Sequence, residues 1–292
     1  AKWHPMRGTD RHRRPRYGFT RFIDINGMEK RMDSYYWDEN KMKTDGANPT
    51  ILLIGDSWFW YPFVGGSLTN NLGPIVAKKS HVILAKGMNG AEAFDYVDGK
   101  YAKIVLEALR LYGSALSAVF LSGGGNDFAG FNDLRPLLKA NCSGEMTARN
   151  CFRGGDAGLK GFLDRMDEYY RKLIGVVYTR TSVDCFIVMH AYDYATPNGK
   201  GVFGGAGWLQ PALLDAGVPA GLHQDCVNLL IDSFYQVLTK ITQMDPQHLF
   251  VVDSRGTLSP TDWANELHPK ARGFKKIADA KWKPMLQTLG LA

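Results

Sequence analysis

Ser57 stands at the end of a short apolar run, Thr50-Ile51-Leu52-Leu53-Ile54-Gly55-Asp56-Ser57. A serine hydroxyl held at such a strand-to-loop turn can attack a carbonyl, provided a neighbouring base takes its proton. The histidine best placed for that task is His268, in Asn265-Glu266-Leu267-His268-Pro269 near the far end of the chain. Between them Gly123-Gly124-Gly125-Asn126-Asp127 follows a second apolar run, Ala115 to Leu121. An Asn amide at that position is a donor suited to the oxyanion that forms when a carbonyl is attacked. Each segment alone is weak, since Gly-Asp-Ser and Gly-Gly-Asn-Asp are also ordinary turn sequences. Together they predict one site with Ser57 as nucleophile, His268 as general base and Asn126 as oxyanion donor.

These residues resemble the SGNH, or GDSL-type, hydrolase family. Gly55-Asp56-Ser57 is similar to the family's nucleophile block, and Gly124-Gly125-Asn126-Asp127 to its Gly-x-Asn-Asp block, whose Asn helps bind the oxyanion. Lys86-Gly87-Met88-Asn89-Gly90 stands where the second block places an oxyanion glycine, so the resemblance implies that role for Gly90 beside Ser57 and Asn126. It covers residues 50 to 285 and implies a three-layer α/β/α sandwich of flavodoxin-like type, with a five-stranded, mostly parallel sheet. The implied activity is hydrolysis of carboxylic esters through an acyl-enzyme on Ser57. The implied substrates span lipids, acetylated sugars, thioesters and small aryl esters. A carbohydrate O-acetylesterase and a catalytically silent binding protein on the same fold are the alternatives. The family's last block is Asp-x-x-His, and here Asn265 stands three residues before His268. What orients His268 is therefore open among Asn265, the nearby carboxylates Glu266 and Asp262, and a Ser-His dyad supported by Asn265 or a backbone carbonyl.

The elements that must position this chemistry are readable without any family name. Apolar runs recur at 51–54, 82–85, 115–121, 185–189 and 249–252, the length of buried strands. Helical spacing links Leu159, Phe162, Leu163, Met166, Tyr170, Leu173 and Val177. It recurs through Cys226, Leu229, Leu230, Phe234, Val237, Leu238 and Ile241, and again through Phe274, Ile277, Ala278, Met285 and Leu289. Short buried strands alternating with amphipathic helices call for a parallel sheet covered on both faces. Such sheets bind ligands beyond the carboxyl ends of their strands, where the Ser57 and Asn126 segments fall. Residues 130–158 and 194–221 read as insertions over that edge, and loops of this kind set substrate choice. The glycine-rich part of the second is equally compatible with disorder. Trp58, Phe59, Trp60 and Tyr61 read either as core or as an apolar wall for substrate.

At 292 residues with 45% hydrophobic content, the chain suffices for one large α/β domain. No apolar run is long enough for a transmembrane helix, and no signal peptide is evident. A mature exported protein would look the same, and a secreted or periplasmic location is expected ahead of a cytoplasmic one. Net charge is +6, with much of the excess in residues 2–31 of a basic, aromatic N-terminal extension, residues 1–49. A solvated arm is the plainest reading of that charge, and contact with an anionic surface the sharper one. No nucleic-acid partner is indicated. Within the extension Ile25-Asn26-Gly27 suits a tight hairpin turn.

Cys142 and Cys151 flank a polar stretch that reads as exposed, where a local disulfide is as compatible with the sequence as two free thiols. Cys185 and Cys226 read as buried small hydrophobes. His190 reads as a structural hydrogen-bonding residue. His223 and Cys226 form a His-x-x-Cys pair without a second pair to complete a zinc site. The Walker loop, His-Glu-x-x-His and Cys-x-x-Cys signatures are missing, so neither metal nor cofactor is expected.

Overall fold

The computed structural model describes residues 19–23, 29–61 and 66–292, with backbone alone before residue 33. Among them run β1 (Phe19–Ile23), β2 (Glu29–Asp33), β3 (Tyr35–Tyr36), β4 (Ile51–Gly55), β5 (Ile83–Gly87), β6 (Ala118–Ser122), β7 (Phe186–Ala191) and β8 (Leu249–Asp253). The last six form one sheet in the order β3-β5-β4-β6-β7-β8, every neighbouring pair parallel. The central strands β4 and β6 are buried at every position, which explains their unbroken apolar runs.

The sheet has six strands where five were expected, and it is parallel throughout its length rather than mostly so. The additional strand is β3, which pairs Tyr35 with Ile83 and Tyr36 with Leu84 along the outer edge of β5. Two residues carry no alternation to read, so only the docking against β5 makes them a strand. The helix Glu39–Thr44 follows, its first turn capped by Asp38, whose side chain accepts from Asn40 N at 2.8 Å and Lys41 N at 3.2 Å. Tyr36 and Met42 are buried in the common core, so this part of the extension packs with the sheet. β1 and β2 pair antiparallel, with Ile23 opposite Glu29. The turn at Ile25-Asn26-Gly27 lies outside the described residues, as do the basic side chains to which an anionic contact was assigned.

Helices cover the sheet where the spacing placed them. Leu159–Tyr178 buries Phe162, Met166, Tyr170, Leu173 and Val177. His223–Thr242 buries Cys226, Leu230, Phe234, Leu238 and Ile241 and packs against it. The C-terminal pattern is not one α-helix. Ala271–Ile277 widens into a π turn at Ala278–Trp282 before Lys283–Thr288. Pro284 has no amide hydrogen to continue an α ladder, and the wider turn seats Trp282 fully in the core. No helix among the described residues is long and apolar enough to cross a membrane.

The polar stretch 143–150 is largely exposed, as its residues suggest, but the two cysteines that flank it are not. Cys142 and Cys151 are both fully buried free thiols, the first pointing to the Cys151 carbonyl oxygen at 3.4 Å, while Ser143, Met146 and Thr147 face solvent. Cys185 and Cys226 are buried as expected.

Candidate active site

Parallel register gathers the three chemical segments at one edge. Gly55 of β4 lies opposite Gly87 of β5 and Ser122 of β6. Ser57, Gly90 and Asn126 follow those ends by two, three and four residues, so all three leave adjacent strands at the same level. Asn126 Nδ2 donates to the Ala91 carbonyl at 2.8 Å, and Asp127 Oδ2 accepts from Ala93 N at 2.8 Å. Those two bonds tie the loop carrying Gly90 to the loop carrying Asn126. Gly90 sits at φ +74°, a backbone region other residues enter only at a cost. Among the described residues, the N–H groups of Ser57 and Gly90 find no acceptor within the protein.

His268 arrives on a closed turn beyond β8. Ala264 N donates to His268 O at 2.9 Å, and Lys270 N donates to Asp262 O at 2.7 Å, closing the base of the turn. The ring reaches across the sheet edge so that Nε2 lies 2.8 Å from Ser57 Oγ. Its other nitrogen, Nδ1, lies 3.1 Å from Asn265 Oδ1. That oxygen also accepts the backbone N–H of Leu267 at 3.0 Å and of His268 at 2.8 Å. Those two backbone donors need an acceptor and so fix which end of the amide faces the histidine, leaving Asn265 Nδ2 to donate to Tyr61 Oη at 3.4 Å. An amide oxygen can only accept, so Nδ1 carries the proton and Nε2 presents its lone pair to the serine hydroxyl. Tyr61 stacks on the imidazole with centroids 4.1 Å apart and planes 15° apart, and Trp208 meets it edge-on at 5.9 Å. Burial pushes the His268 pKa down to about 4.

Both carboxylates considered for orienting His268 are engaged elsewhere. Asp262 Oδ1 pairs with Arg272 Nε at 2.9 Å. Its Oδ2 pairs with Lys276 Nζ at 2.6 Å and accepts from Ser259 N and Oγ. Lys276 is the foremost of the contacts holding its carboxyl well below the usual range. Glu266 is fully buried and turned away from the histidine into the 194–221 insertion. Its Oε1 accepts from Gly199 N at 2.8 Å and Gln210 N at 3.1 Å; its Oε2 accepts from Leu209 N at 2.6 Å and from Trp208 N. A side chain at Gly207 would collide with this carboxylate, which is why that position is glycine. The insertion is thereby ordered around Glu266, not disordered, and it delivers Trp208 to His268.

This arrangement makes a stability prediction. Glu266→Gln offers one acceptor oxygen and turns an N–H₂ group toward donors, leaving buried N–H groups unsatisfied. The expected loss is on the order of 3 kcal/mol in a urea melt. A variant that melts together with the parent would contradict this anchoring role.

Beneath the nucleophile lies Asp56. Its Oδ1 accepts from Trp58 N at 3.0 Å and Ser122 Oγ at 3.1 Å, and its Oδ2 accepts from Tyr192 Oη at 2.5 Å. This network clamps the turn that carries Ser57. Tyr192 is a site residue the sequence did not single out, and Tyr61, read only as core or apolar wall, is in contact with His268 and Asn265. Tyr61 lay hidden in an aromatic cluster, and Tyr192 stands just past the end of β7 with no motif around it. Trp58 and Phe59 belong to the core, Trp58 against His190 and Phe274, Phe59 against Trp282. His190 is buried with Nε2 2.9 Å from Ser254 Oγ, and His223 Nε2 lies 3.0 Å from the Val218 carbonyl oxygen. Both contacts are structural. No cluster of three metal-ligating side chains occurs among the described residues.

No family model matches the chain, and no curated protein does. Solved structures do. A lipase from a goat rumen metagenome superposes with a TM-score of 0.56 at 10% identity, over 84% of this chain and 99% of the lipase. An arylesterase candidate from Agrobacterium tumefaciens strain C58 superposes with a TM-score of 0.50 at 16% identity, over 82% of this chain and 99% of that protein. The chain shares the fold of these two proteins, a parallel sheet flanked by helices. On that fold, the Ser57, Gly90, Asn126 and His268 segments meet at the carboxyl edge of the sheet, with Asn265 beside His268.

Proposed function

We propose that this protein is a serine esterase of the SGNH type that hydrolyses carboxylic esters through an acyl-enzyme on Ser57. The observation that carries the reading is the continuous chain Ser57 Oγ–His268–Asn265, with contacts of 2.8 and 3.1 Å. His268 Nε2 takes the Ser57 proton as Oγ attacks the ester carbonyl, then gives it to the departing alkoxide. Asn265 holds the tautomer that leaves Nε2 free. The second Nδ2 proton of Asn126 and the free N–H groups of Ser57 and Gly90 supply the oxyanion donors. Water, deprotonated by the same histidine, then hydrolyses the acyl-serine.

A fluorophosphonate probe tests this directly. Ser57 should be phosphonylated, as read by peptide mass spectrometry, and the labelled protein should lose activity on p-nitrophenyl acetate. A folded protein that leaves the probe untouched would be a binding protein on this fold. The oxyanion role has its own measurement. Asn126→Ala should lower kcat by about 10²- to 10³-fold with little change in KM, because its donor matters most when charge has developed. A change confined to KM would assign Asn126 to loop structure, through its bond to Ala91.

A further inference from the structure

A small cavity of about 30 Å³ opens beside the nucleophile, with Ser57, Asn126 and Asp193 among its polar lining and Phe128, Ala129, Ala195 and Ile231 among its apolar lining. Those four apolar residues are all buried, Ile231 at 1% exposure and Phe128 at 2%, so this wall is part of the packed core. Ile231 comes from the long helix His223–Thr242, and Phe128 packs edge-on against Phe162 of Leu159–Tyr178, so the floor rests on rigid elements.

We propose that this cavity is the acyl pocket, and that it admits an acetyl or propionyl group while rejecting longer chains. The proposal rests on the reading of Ser57 as nucleophile. Two observations assign the cavity to the acyl side. The departing alcohol is protonated by His268, and His268 does not line this cavity, whereas the oxyanion donor Asn126 does. The alcohol must also leave and be replaced by water, which needs an open path. A small pocket walled on one side by packed apolar core suits the group that remains bonded to the serine. Size sets the limit. A water-sized group needs roughly 10–15 Å³ of such space, so 30 Å³ takes a methyl or an ethyl and little more. Each further methylene must displace Phe128 or Ile231 from a packed core, which is the cost of overpacking.

The experiment measures kcat/KM for p-nitrophenyl esters from acetyl to octanoyl, with mass spectrometry of the acyl-enzyme on Ser57. Acetyl and propionyl esters should exceed octanoyl by about a hundredfold or more, the effect of a misfit of a few kcal/mol. Ile231→Ala should move the optimum to longer chains, while Ala129→Leu should fill the pocket and depress even acetyl turnover. The wild-type profile decides the matter if either variant fails to fold. Acylation of Ser57 by octanoyl as fast as by acetyl overturns the pocket and leaves the esterase reading intact. A Ser57 that accepts no acyl group of any length, and no fluorophosphonate, overturns both.

Discussion

His268→Ala is expected to lower kcat for ester hydrolysis by on the order of 10⁴- to 10⁶-fold, with Ser57→Ala equally severe and the double variant no worse than either. A serine hydroxyl does not ionise unaided near neutral pH, so its attack depends on a base within hydrogen-bond reach. His268 Nε2 at 2.8 Å is that base, and the surrounding structure offers no substitute. Both oxygens of Asp56 are taken by Trp58, Ser122 and Tyr192. Glu266 is saturated by backbone N–H groups and Asp262 by two cations and Ser259. Non-additivity is the informative part, because nucleophile and base act on one proton and neither works without the other. Steady-state kinetics on p-nitrophenyl acetate beside thermal melts provide the check. A folded His268→Ala variant within about a hundredfold of the parent would require a different base.

The placement of Ser57 and Asn126 at one edge was legible in the sequence, and His268 meets Ser57 there. Ser57 and Asn126 follow strands whose unbroken apolar runs mark them as central, and parallel register does the rest. What lay beyond the sequence is what depends on where loop side chains point. Asn265 and Glu266 are neighbours on one turn, yet one faces the imidazole and the other anchors the 194–221 segment. Spacing cannot separate them, because an irregular turn has no period. The polar residues between Cys142 and Cys151 are exposed as they read, but the burial of the two cysteines beside them was not legible. Only the packed fold reveals that the thiols turn inward. β3 was missed because two residues carry no pattern, and the π turn because Pro284 reads as an ordinary helix ending.

Removing the Asn265 side chain should cost on the order of 10³- to 10⁴-fold in kcat, and restoring a carboxylate there should move the pH profile. In Asn265→Ala the acceptor for His268 Nδ1–H is lost, together with the acceptor for the Leu267 and His268 backbone N–H groups. The imidazole is then free to rotate or to carry its proton on Nε2, where it cannot act as a base toward Ser57, which is how triads fail when their orienting residue is wrong. Asn265→Asp acts differently. The base works in its neutral form, so the acid limb of kcat/KM tracks the His268 pKa, which burial holds near about 4 in the parent protein. A carboxylate 3.1 Å from Nδ1 favours the imidazolium and raises that pKa, so the limb should shift toward neutral pH. Stability moves with the same sign. His268 titrates at its ordinary 6.5 when unfolded and near 4 when folded, so the unfolded chain takes up the proton first, and the parent loses stability as pH falls between those values. Raising the folded pKa narrows that window and should flatten the decline. A pH–rate profile for Asn265→Asp that overlays the parent, or an Asn265→Ala variant with parental kcat, would show that His268 is oriented by its packing between Tyr61 and Trp208 and not by the Asn265 amide.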